Sequence, residues 1–372
     1  MSARTSALET AARAVIHFAL LTTIVWLGCG PGERDVTAPQ DPQANVQQLL
    51  RPAMSVQDRH TEELLQIPGV VGTATILGEG GEPVIVIFTE SADVRGLPDR
   101  LEGYGVRVVP SGRFHALQGA RKCDNPPCNG GGGGGGGGGD TSLKLTDHWP
   151  SPVPIGVSVG NNNECSAGTF GAVVIKGSAR YALSNNHVFA RENKASNGEP
   201  IVQPGRYDNK PKCGNDVSTE KLGTLADYVT IRFGSGTNTV DAAIAQPASG
   251  VTLSCATAPG YYGLPGSTTR DAALGMAIQK VGRTSGLTTA VVTALNATVK
   301  VGYSSGTATF TGQIVTSSGF SRSGDSGSLV VTNDANRNPV GLLFAGAVDG
   351  TTILNPIDDV LAALGGAAIC GS

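Results

Sequence analysis

The sequence carries little charge and no marked excess of either sign. Only 15% of its 372 residues are charged, and 27 basic against 30 acidic residues leave a net charge of −3. Nucleic-acid-binding proteins are usually basic, so the composition argues against that class. Glycine is abundant instead, at 53 residues. Because glycine weakens helix interiors, a long helical bundle or coiled coil is excluded, and the 40% hydrophobic content argues against a wholly disordered chain.

The apolar stretch near the N-terminus is too short to span a bilayer. It runs from Ala14 to Leu27, whereas a membrane-spanning helix needs about 20 residues. Together with the preceding arginines, it indicates an export signal. Residues 1–29 resemble a bacterial lipoprotein signal, in which Cys29 becomes the lipidated first residue. A cleaved secretory signal and an uncleaved anchor are the alternatives, so we expect the bacterial cell envelope or the extracellular space.

Six cysteines remain besides Cys29: Cys123, Cys128, Cys165, Cys213, Cys255 and Cys370. An even number in an exported chain favours disulfides, and sequence alone does not choose among the pairings. Cys123 and Cys128 are close enough in sequence to close a local loop. A metal site is the competing interpretation, but no histidine lies near these cysteines at the spacing of zinc ligands. We therefore expect neither a metal nor a cofactor.

Composition divides the rest of the chain into four segments. Residues 30–59 are polar and predict a tether, while 60–119 predict a small α+β unit. In that unit we expect a short helix at Glu62–Ile67 and strands in the segments 70–77, 84–88 and 106–109. Residues 120–152 are a Cys-, Pro- and Gly-rich linker, whose run Gly130–Gly139 indicates a flexible tether. An exposed processing site is the alternative for this run.

Residues 153–372 form the largest unit, and their pattern is that of an all-β barrel or sandwich. Short β-rich runs recur between Gly, Asn and Ser clusters, in the segments 155–159, 170–175, 229–233, 290–295, 313–315, 328–331 and 340–344. One helix is predicted at the end, with Asn355 as its cap and Gly365 as its stop. Its apolar stripe indicates core packing.

Three residues that together can perform nucleophilic catalysis occur in this unit in the order His, Asp, Ser. His187 follows a β-run, Asp241 precedes a short apolar run, and Ser326 lies in a glycine turn that enters a strand. A serine hydroxyl needs a base to activate it, and the base needs a carboxylate to orient it. The α/β-hydrolase elbow is excluded because Ser328 stands where its second glycine is required.

Each of these segments alone has a simpler interpretation. His187 by itself is more often structural, Asp241 is a common strand-start acid, and Gly-Asp-Ser-Gly is an ordinary turn. Their occurrence in one β-rich unit, in the order of the chymotrypsin arrangement, favours a catalytic triad.

These motifs carry a resemblance to the trypsin-like serine proteases of the chymotrypsin superfamily. Asn185-Asn186-His187-Val188 is similar to the histidine motif of bacterial HtrA-type members, and Gly324-Asp325-Ser326-Gly327 is similar to the nucleophile motif. Val281–Leu287 resembles a segment of secreted bacterial members. The resemblance covers residues 153–365 and implies two packed six-stranded β-barrels with the active site between them, preceded here by the small α+β unit and the linker.

The resemblance also implies a role for each matching residue. His187 is the general base, Asp241 its orienting carboxylate and Ser326 the nucleophile, while the N–H groups of Gly324 and Ser326 form the oxyanion hole. Asp325 is then buried and needs a partner, and we expect Arg283 to pair with it.

The sequence departs from the family at the expected specificity pocket, for which Phe320 and Gly346 are the candidates. Phe320 lies where an acid is expected in trypsin-like enzymes, which argues against a preference for Lys or Arg. The unit at 60–119 resembles N-terminal segments that precede such bacterial barrels and act as pro-regions. On that reading it packs on the protease domain and covers the cleft, whereas an adhesive or spacing domain is the alternative.

The predicted function is therefore that of an exported serine endopeptidase acting on protein or peptide substrates through an acyl-enzyme. No nucleic acid is expected as a partner, and membrane attachment is expected only through lipidated Cys29. The alternative from another class is a non-catalytic barrel that binds peptides or a surface partner. An esterase using the same triad is a weaker alternative, because nothing indicates a lipid pocket.

Overall fold

The computed structural model describes residues 42–117, 143–214 and 220–372, which belong to one compact unit, Asp41–Ser372. Cys29, Cys123, Cys128 and the run Gly130–Gly139 lie outside the described residues, so the predictions made on them stay predictions. Among the described residues, no helix is long and apolar enough to cross a membrane.

The N-terminal part contains one helix and five strands: α1 (Pro42–Gln66), β1 (Val70–Leu77), β2 (Pro83–Thr89), β3 (Arg100–Leu101), β4 (Tyr104–Pro110) and β5 (Phe114–Ala116). Three of these strands lie where the hydrophobic runs predict them. β3 and β5 were not predicted, because two and three residues are too few to show a period.

Helix α1 is much longer than the sequence predicts. We expected a polar tether over 30–59 and a short helix at Glu62–Ile67, but the helix begins at Pro42 and has 25 residues. Its buried face includes the polar residues Gln57 and Thr61, which interrupt the apolar stripe. Both side chains are hydrogen-bonded to the same threonine of β1. Burying polar groups that have hydrogen-bond partners costs little free energy. This face therefore packs against the sheet, although its polar residues would suggest exposure to solvent.

The large unit contains seventeen strands and two helices among the described residues. In chain order they are β6 (Val153–Ile155), β7 (Ser158–Asn161), β8 (Gly168–Thr169), β9 (Ala172–Lys176), β10 (Ala179–Ser184), α2 (Asn186–Phe189), β11 (Pro200–Val202), β12 (Lys221–Tyr228), β13 (Thr237–Asn238), β14 (Ala243–Pro247), β15 (Leu253–Thr257), β16 (Ala277–Gly282), β17 (Gly286–Tyr303), β18 (Gly306–Thr316), β19 (Leu329–Thr332), β20 (Pro339–Gly346), β21 (Thr352–Pro356), α3 (Ile357–Ala363) and β22 (Ala368–Ile369).

These strands form two main sheets. The first has eight strands in the order β22-β9-β10-β14-β12-β11-β7-β8. In the second, β18-β21-β20-β19-β16-β17 form a ring of six, which the pairing of β17 with β18 closes. The mainly β fold class with a C-terminal helix is therefore confirmed. The strand expected at 229–233 is absent from the described structure, where these residues follow β12 as irregular chain.

One apolar cluster joins the two sheets and helix α3. It contains Leu183 from the first sheet, Leu342 from the second and Val360 from the helix, all with no more than 1% of their surface exposed. Burial of large apolar side chains is the main source of stability in such a core. The strands that end beside this cluster therefore hold their terminal loops in fixed positions, and those loops carry the candidate site.

The N-terminal strands extend the second sheet. β1 pairs antiparallel with β17, with Gly72 opposite Val299. β5 lies between β17 and β20, with Phe114 opposite Val301 and His115 opposite Gly346. The second sheet consequently has twelve strands, five of which precede the linker.

Two disulfides close segments of the large unit. Cys165 is bonded to Cys213, and Cys255 to Cys370. The prediction of disulfides is confirmed for these four residues.

Candidate active site

Ser326 lies in a tight turn that only glycine allows at two positions. Gly324 and Gly327 have φ angles of +99° and +91°, which residues with a side chain rarely adopt. The N–H of Ser328 donates to the carbonyl of Asp325 at 3.0 Å, which closes the turn before β19. The Ser326 hydroxyl donates to the Phe344 carbonyl of β20 at 3.2 Å.

His187 and Asp241 lie side by side because β10, which precedes His187, is paired with β14, which follows Asp241. Ser184, three residues before His187, is opposite Ala243, two residues after Asp241. The His187 Nδ1 is 2.6 Å from the Asp241 Oδ2, and the His187 backbone N–H donates to Oδ1 at 3.2 Å. Both side chains are fully buried. The carboxylate thus contacts both the ring and the backbone of the histidine, which orients the imidazole.

Two residues outside the predicted triad also hold Asp241. The Tyr303 hydroxyl donates to the Asp241 Oδ2 at 2.9 Å. Burial and the neighbouring carboxylate raise the pKa of Tyr303 well above its ordinary value, so it remains a donor. The Asn355 Oδ1 accepts a hydrogen bond from the backbone N–H of Asp241 at 3.0 Å.

The role of Asn355 corrects the predicted helix cap. Asn355 lies in β21, and its side chain makes no bond to α3, whose N-cap is Pro356. Its Nδ2 instead donates to the Gln313 Oε1 at 2.6 Å. A pattern of Asn followed by Pro predicts a cap locally, but the tertiary contact with Asp241 decides the role of this side chain.

Thr169 is bonded both to the turn that carries Ser326 and to the end of β10, the strand that precedes His187. Its N–H donates to the Ser326 carbonyl at 2.7 Å, and its hydroxyl donates to the Gly324 carbonyl at 3.0 Å. Its own carbonyl accepts from the Ser184 hydroxyl at 2.8 Å. One residue therefore bonds both to the turn that carries Ser326 and to the strand end that carries His187.

The buried partner of Asp325 is Lys280, so the expected pair with Arg283 is wrong. The Lys280 Nζ lies 3.1 Å from the Asp325 Oδ2, and both side chains are fully buried. Arg283 forms a forked pair with Asp208 instead, at 2.5 and 2.9 Å. Lys280 was missed because it lies within an apolar strand, β16, where a lysine is usually turned to solvent.

Asp325 is held as a charged group beneath the serine turn. Burial alone raises the pKa of Asp325, but the Lys280 ammonium, the Ser285 hydroxyl and backbone N–H groups outweigh it, so this pKa is below its ordinary value. The N–H groups of Thr284 and Ser285 donate to its Oδ1 at 3.0 and 3.1 Å, and that of Arg322 donates to its Oδ2 at 2.9 Å. These bonds set the conformation of the residue before Ser326.

The N–H group of Gly324 donates to a peptide carbonyl from the N-terminal part of the chain. Its partner is the Leu117 oxygen, at 2.7 Å, and the Leu117 N–H donates to the Phe344 carbonyl at 3.0 Å. A side chain at Gly324 would collide with Arg283 and Thr284. The amide expected to stabilise an oxyanion is thus directed at a carbonyl oxygen.

Both candidate pocket residues lie near Leu117. Phe320 is fully buried in an apolar cluster of the second sheet, against which Leu117 packs. Gly346 ends β20, and a Cβ added there would lie 3.1 Å from the Leu117 Cδ1.

No family model and no curated protein matches the sequence. Solved structures similar to the chain include a glutamic acid-specific serine protease, with 22% identity over 58% of this chain and 99% of that one, at a TM-score of 0.41. Protease A of Thermobifida fusca has 20% identity over 59% and 99%, at 0.42. The chymotrypsin of Cellulomonas bogoriensis has 20% over 59% and 99%, at 0.39. The chain is similar to these proteins over less than two thirds of its own length.

Proposed function

We propose that the protein is a serine endopeptidase that hydrolyses peptide bonds through an acyl-enzyme. The observation that carries this proposal is the constellation around Asp241: a buried His187–Asp241 pair at 2.6 Å, joined through Thr169 to the turn of Ser326. A base oriented by a carboxylate, near a serine beside backbone donors, is what acyl transfer requires.

Each residue has a defined part in the proposed reaction. The Ser326 Oγ attacks the substrate carbonyl carbon while the His187 Nε2 accepts its proton. Asp241 holds the imidazole and stabilises the imidazolium that forms. The N–H groups of Gly324 and Ser326 stabilise the negative charge on the carbonyl oxygen. His187 then protonates the leaving amine, and water releases the acyl group by the same steps in reverse order.

We further propose that the N-terminal part of the chain is a pro-region of this enzyme. Its strands β1 and β5 pair with strands of the second sheet, and Leu117 donates to and accepts from residues of the cleft. These contacts support occupation of the cleft, and they do not favour a separate spacing domain. The two disulfides support an exported protein, with Cys29 as the proposed lipidation site or as the end of a cleaved signal.

A peptide-binding barrel without catalysis is the second candidate. The addition of β5 as a strand between β17 and β20 favours it, because strand addition is a common mode of peptide recognition. The two candidates differ only in whether Ser326 reacts.

A fluorophosphonate probe separates these candidates. We expect the probe to label the wild-type protein covalently and to leave Ser326→Ala unlabelled. Ser328→Ala is the control and should be labelled, because Ser328 is a buried serine of the same turn whose hydroxyl donates to the Asp325 carbonyl. Intact mass measures the label, and circular dichroism checks folding. A folded wild-type protein that stays unlabelled after its N-terminal part is removed would favour the binding module.

A further inference from the structure

The segment that precedes the linker lies between β17 and β20 as an added strand. Phe114 and His115 are opposite Val301 and Gly302 of β17, and His115 and Ala116 are opposite Gly346 and Ala345 of β20. The segment is therefore held on both sides by backbone pairing, which fixes its direction and register. It ends at Leu117, the last described residue before the linker.

The carbonyl of Leu117 is bonded to the turn that carries the proposed nucleophile. Its oxygen accepts from the Gly324 N–H at 2.7 Å, and the Leu117 N–H donates to the Phe344 carbonyl at 3.0 Å. That same Phe344 carbonyl accepts from the Ser326 hydroxyl at 3.2 Å. The Leu117 peptide group and the Ser326 hydroxyl thus share a partner, while the Leu117 oxygen occupies an oxyanion donor.

The side chain of Leu117 identifies what the pocket accepts. It packs against an apolar cluster that includes Phe320 and Leu343. At Gly346 an added Cβ would lie 3.1 Å from one Leu117 methyl and 3.5 Å from the other. Because Gly346 has no side chain, there is room for the Leu117 side chain beside it.

We propose that the chain cleaves itself after Leu117, and that its site prefers peptides with leucine on the acyl side of the bond. This inference rests on the proposed function. The Ser326 Oγ bonds to the Leu117 carbonyl carbon and its proton passes to His187. The bond from Leu117 to the nitrogen of Gln118, the next residue in the sequence, breaks, and His187 gives that nitrogen its proton. Water then replaces Ser326, leaving a carboxylate on Leu117 and a free amine on Gln118.

The cleavage site is tested on the full chain by intact mass and N-terminal sequencing. We expect the wild-type protein to yield a fragment that begins at Gln118, and Ser326→Ala to stay uncut at this bond. Leu117→Asp should slow cleavage there by at least about 100-fold, because the apolar pocket offers a carboxylate no partner. Leu117→Met, a volume-conserving change, should stay within about tenfold of the wild type.

A matched control separates the pocket from a general effect of the change. Leu143→Asp replaces a leucine in the C-terminal part of the linker that is 37% exposed, and it should leave the cleavage rate unchanged. Peptides of the form Phe-His-Ala-X-anilide, offered to the cut protein, test the pocket without altering the chain. We expect kcat/KM for X = Leu to exceed that for Asp or Lys by at least about 100-fold and that for Ala by about tenfold or more.

Two results would overturn the inference while leaving the proposed function intact. One is a fragment that begins elsewhere, or cleavage after residue 117 in Leu117→Asp at the wild-type rate, with Ser326 still labelled by the fluorophosphonate. The other is a peptide series in which Lys or Asp exceeds Leu. Absence of both cleavage and labelling, in the folded wild type and in folded Leu117→Asp, would instead reject the proposed function itself.

Discussion

At the scale of single residues, the candidate site is built from polar groups that are buried with their partners. Asp241 is contacted by His187, Tyr303, Asn185 and Asn355, so its carboxylate and its backbone both have fixed neighbours. In a buried environment each such bond is stronger than in water, and each missing partner is costly. The order of the triad residues in the sequence identifies His187 and Asp241, but it contains no signal for Tyr303 or Asn355.

Tyr303 is predicted to position Asp241 during catalysis. Tyr303→Phe removes one donor to a buried carboxylate and keeps the ring that lies against His187, 5.9 Å between centroids. We expect kcat to fall about tenfold with little change in KM. We also expect the pH profile of kcat/KM to change, because the carboxylate that stabilises the imidazolium loses a hydrogen-bond donor.

The control for this variant is Tyr181→Phe, at a partly buried tyrosine in strand β10 of the first sheet. It should leave both kcat and the pH profile unchanged. An unaltered pH profile in Tyr303→Phe, with only thermal stability lowered, would contradict a positioning role.

Replacement of Lys280 is predicted to destabilise the folded protein. Lys280→Met leaves the Asp325 charge buried without its ion-pair partner, so we expect the free energy of unfolding to fall by about 3–5 kcal/mol, measured by urea unfolding. The matched control is Arg59→Met, which breaks an ion pair whose side chains are 55% and 45% exposed. We expect no measurable change there, since exposed pairs contribute little. Equal effects of the two variants would contradict the buried-pair interpretation.

At the scale of elements, the hydrophobic runs predicted fewer than half of the described strands, and they also missed most of a helix whose buried face carries polar residues. The runs at 70–77 and 340–344 lie in β1 and β20, because alternating or continuous apolar residues pack against a core. The run 155–159 is instead divided between β6 and β7, with Gly156 at a φ of +92° between them. Helix α1 was underestimated because hydrogen-bonded Gln57 and Thr61 occupy its buried face.

At the scale of the whole molecule, the second sheet has strands from both sides of the linker. The long strand β17 pairs with β18 on one edge, and β1 and β5 pair with its other edge. The same strand ends at Tyr303, which contacts Asp241. The docking of the N-terminal part is therefore coupled through one strand to the candidate site.

Gly72 is predicted to be necessary for this docking. A Cβ at this position would lie 2.7 Å from the Thr298 carbonyl oxygen and 3.0 Å from a Val299 methyl. Gly72→Val should therefore break the pairing of β1 with β17. We expect hydrogen exchange of the amides in residues 295–299 to quicken at least about tenfold, since lost pairing exposes them to water.

Gly105→Val is the control for this change. Gly105 lies in β4 of the same sheet, and a Cβ there would meet no atom within 4 Å. Exchange in residues 295–299 should match that of the wild type. Unchanged exchange in Gly72→Val as well would show that β1 does not depend on close approach at this glycine.

The sequence by itself determined the fold class and the residues of the proposed triad. Hydrophobic period, glycine turns and the order of His187, Asp241 and Ser326 are all local or ordered along the chain, so they can be read without coordinates. Only the tertiary structure decided the partner of Asp325 and the role of Asn355. It also decided the position of Leu117, which is bonded to Gly324 and Phe344. These contacts join residues far apart in the chain, and their energies depend on burial and geometry that a single sequence does not contain.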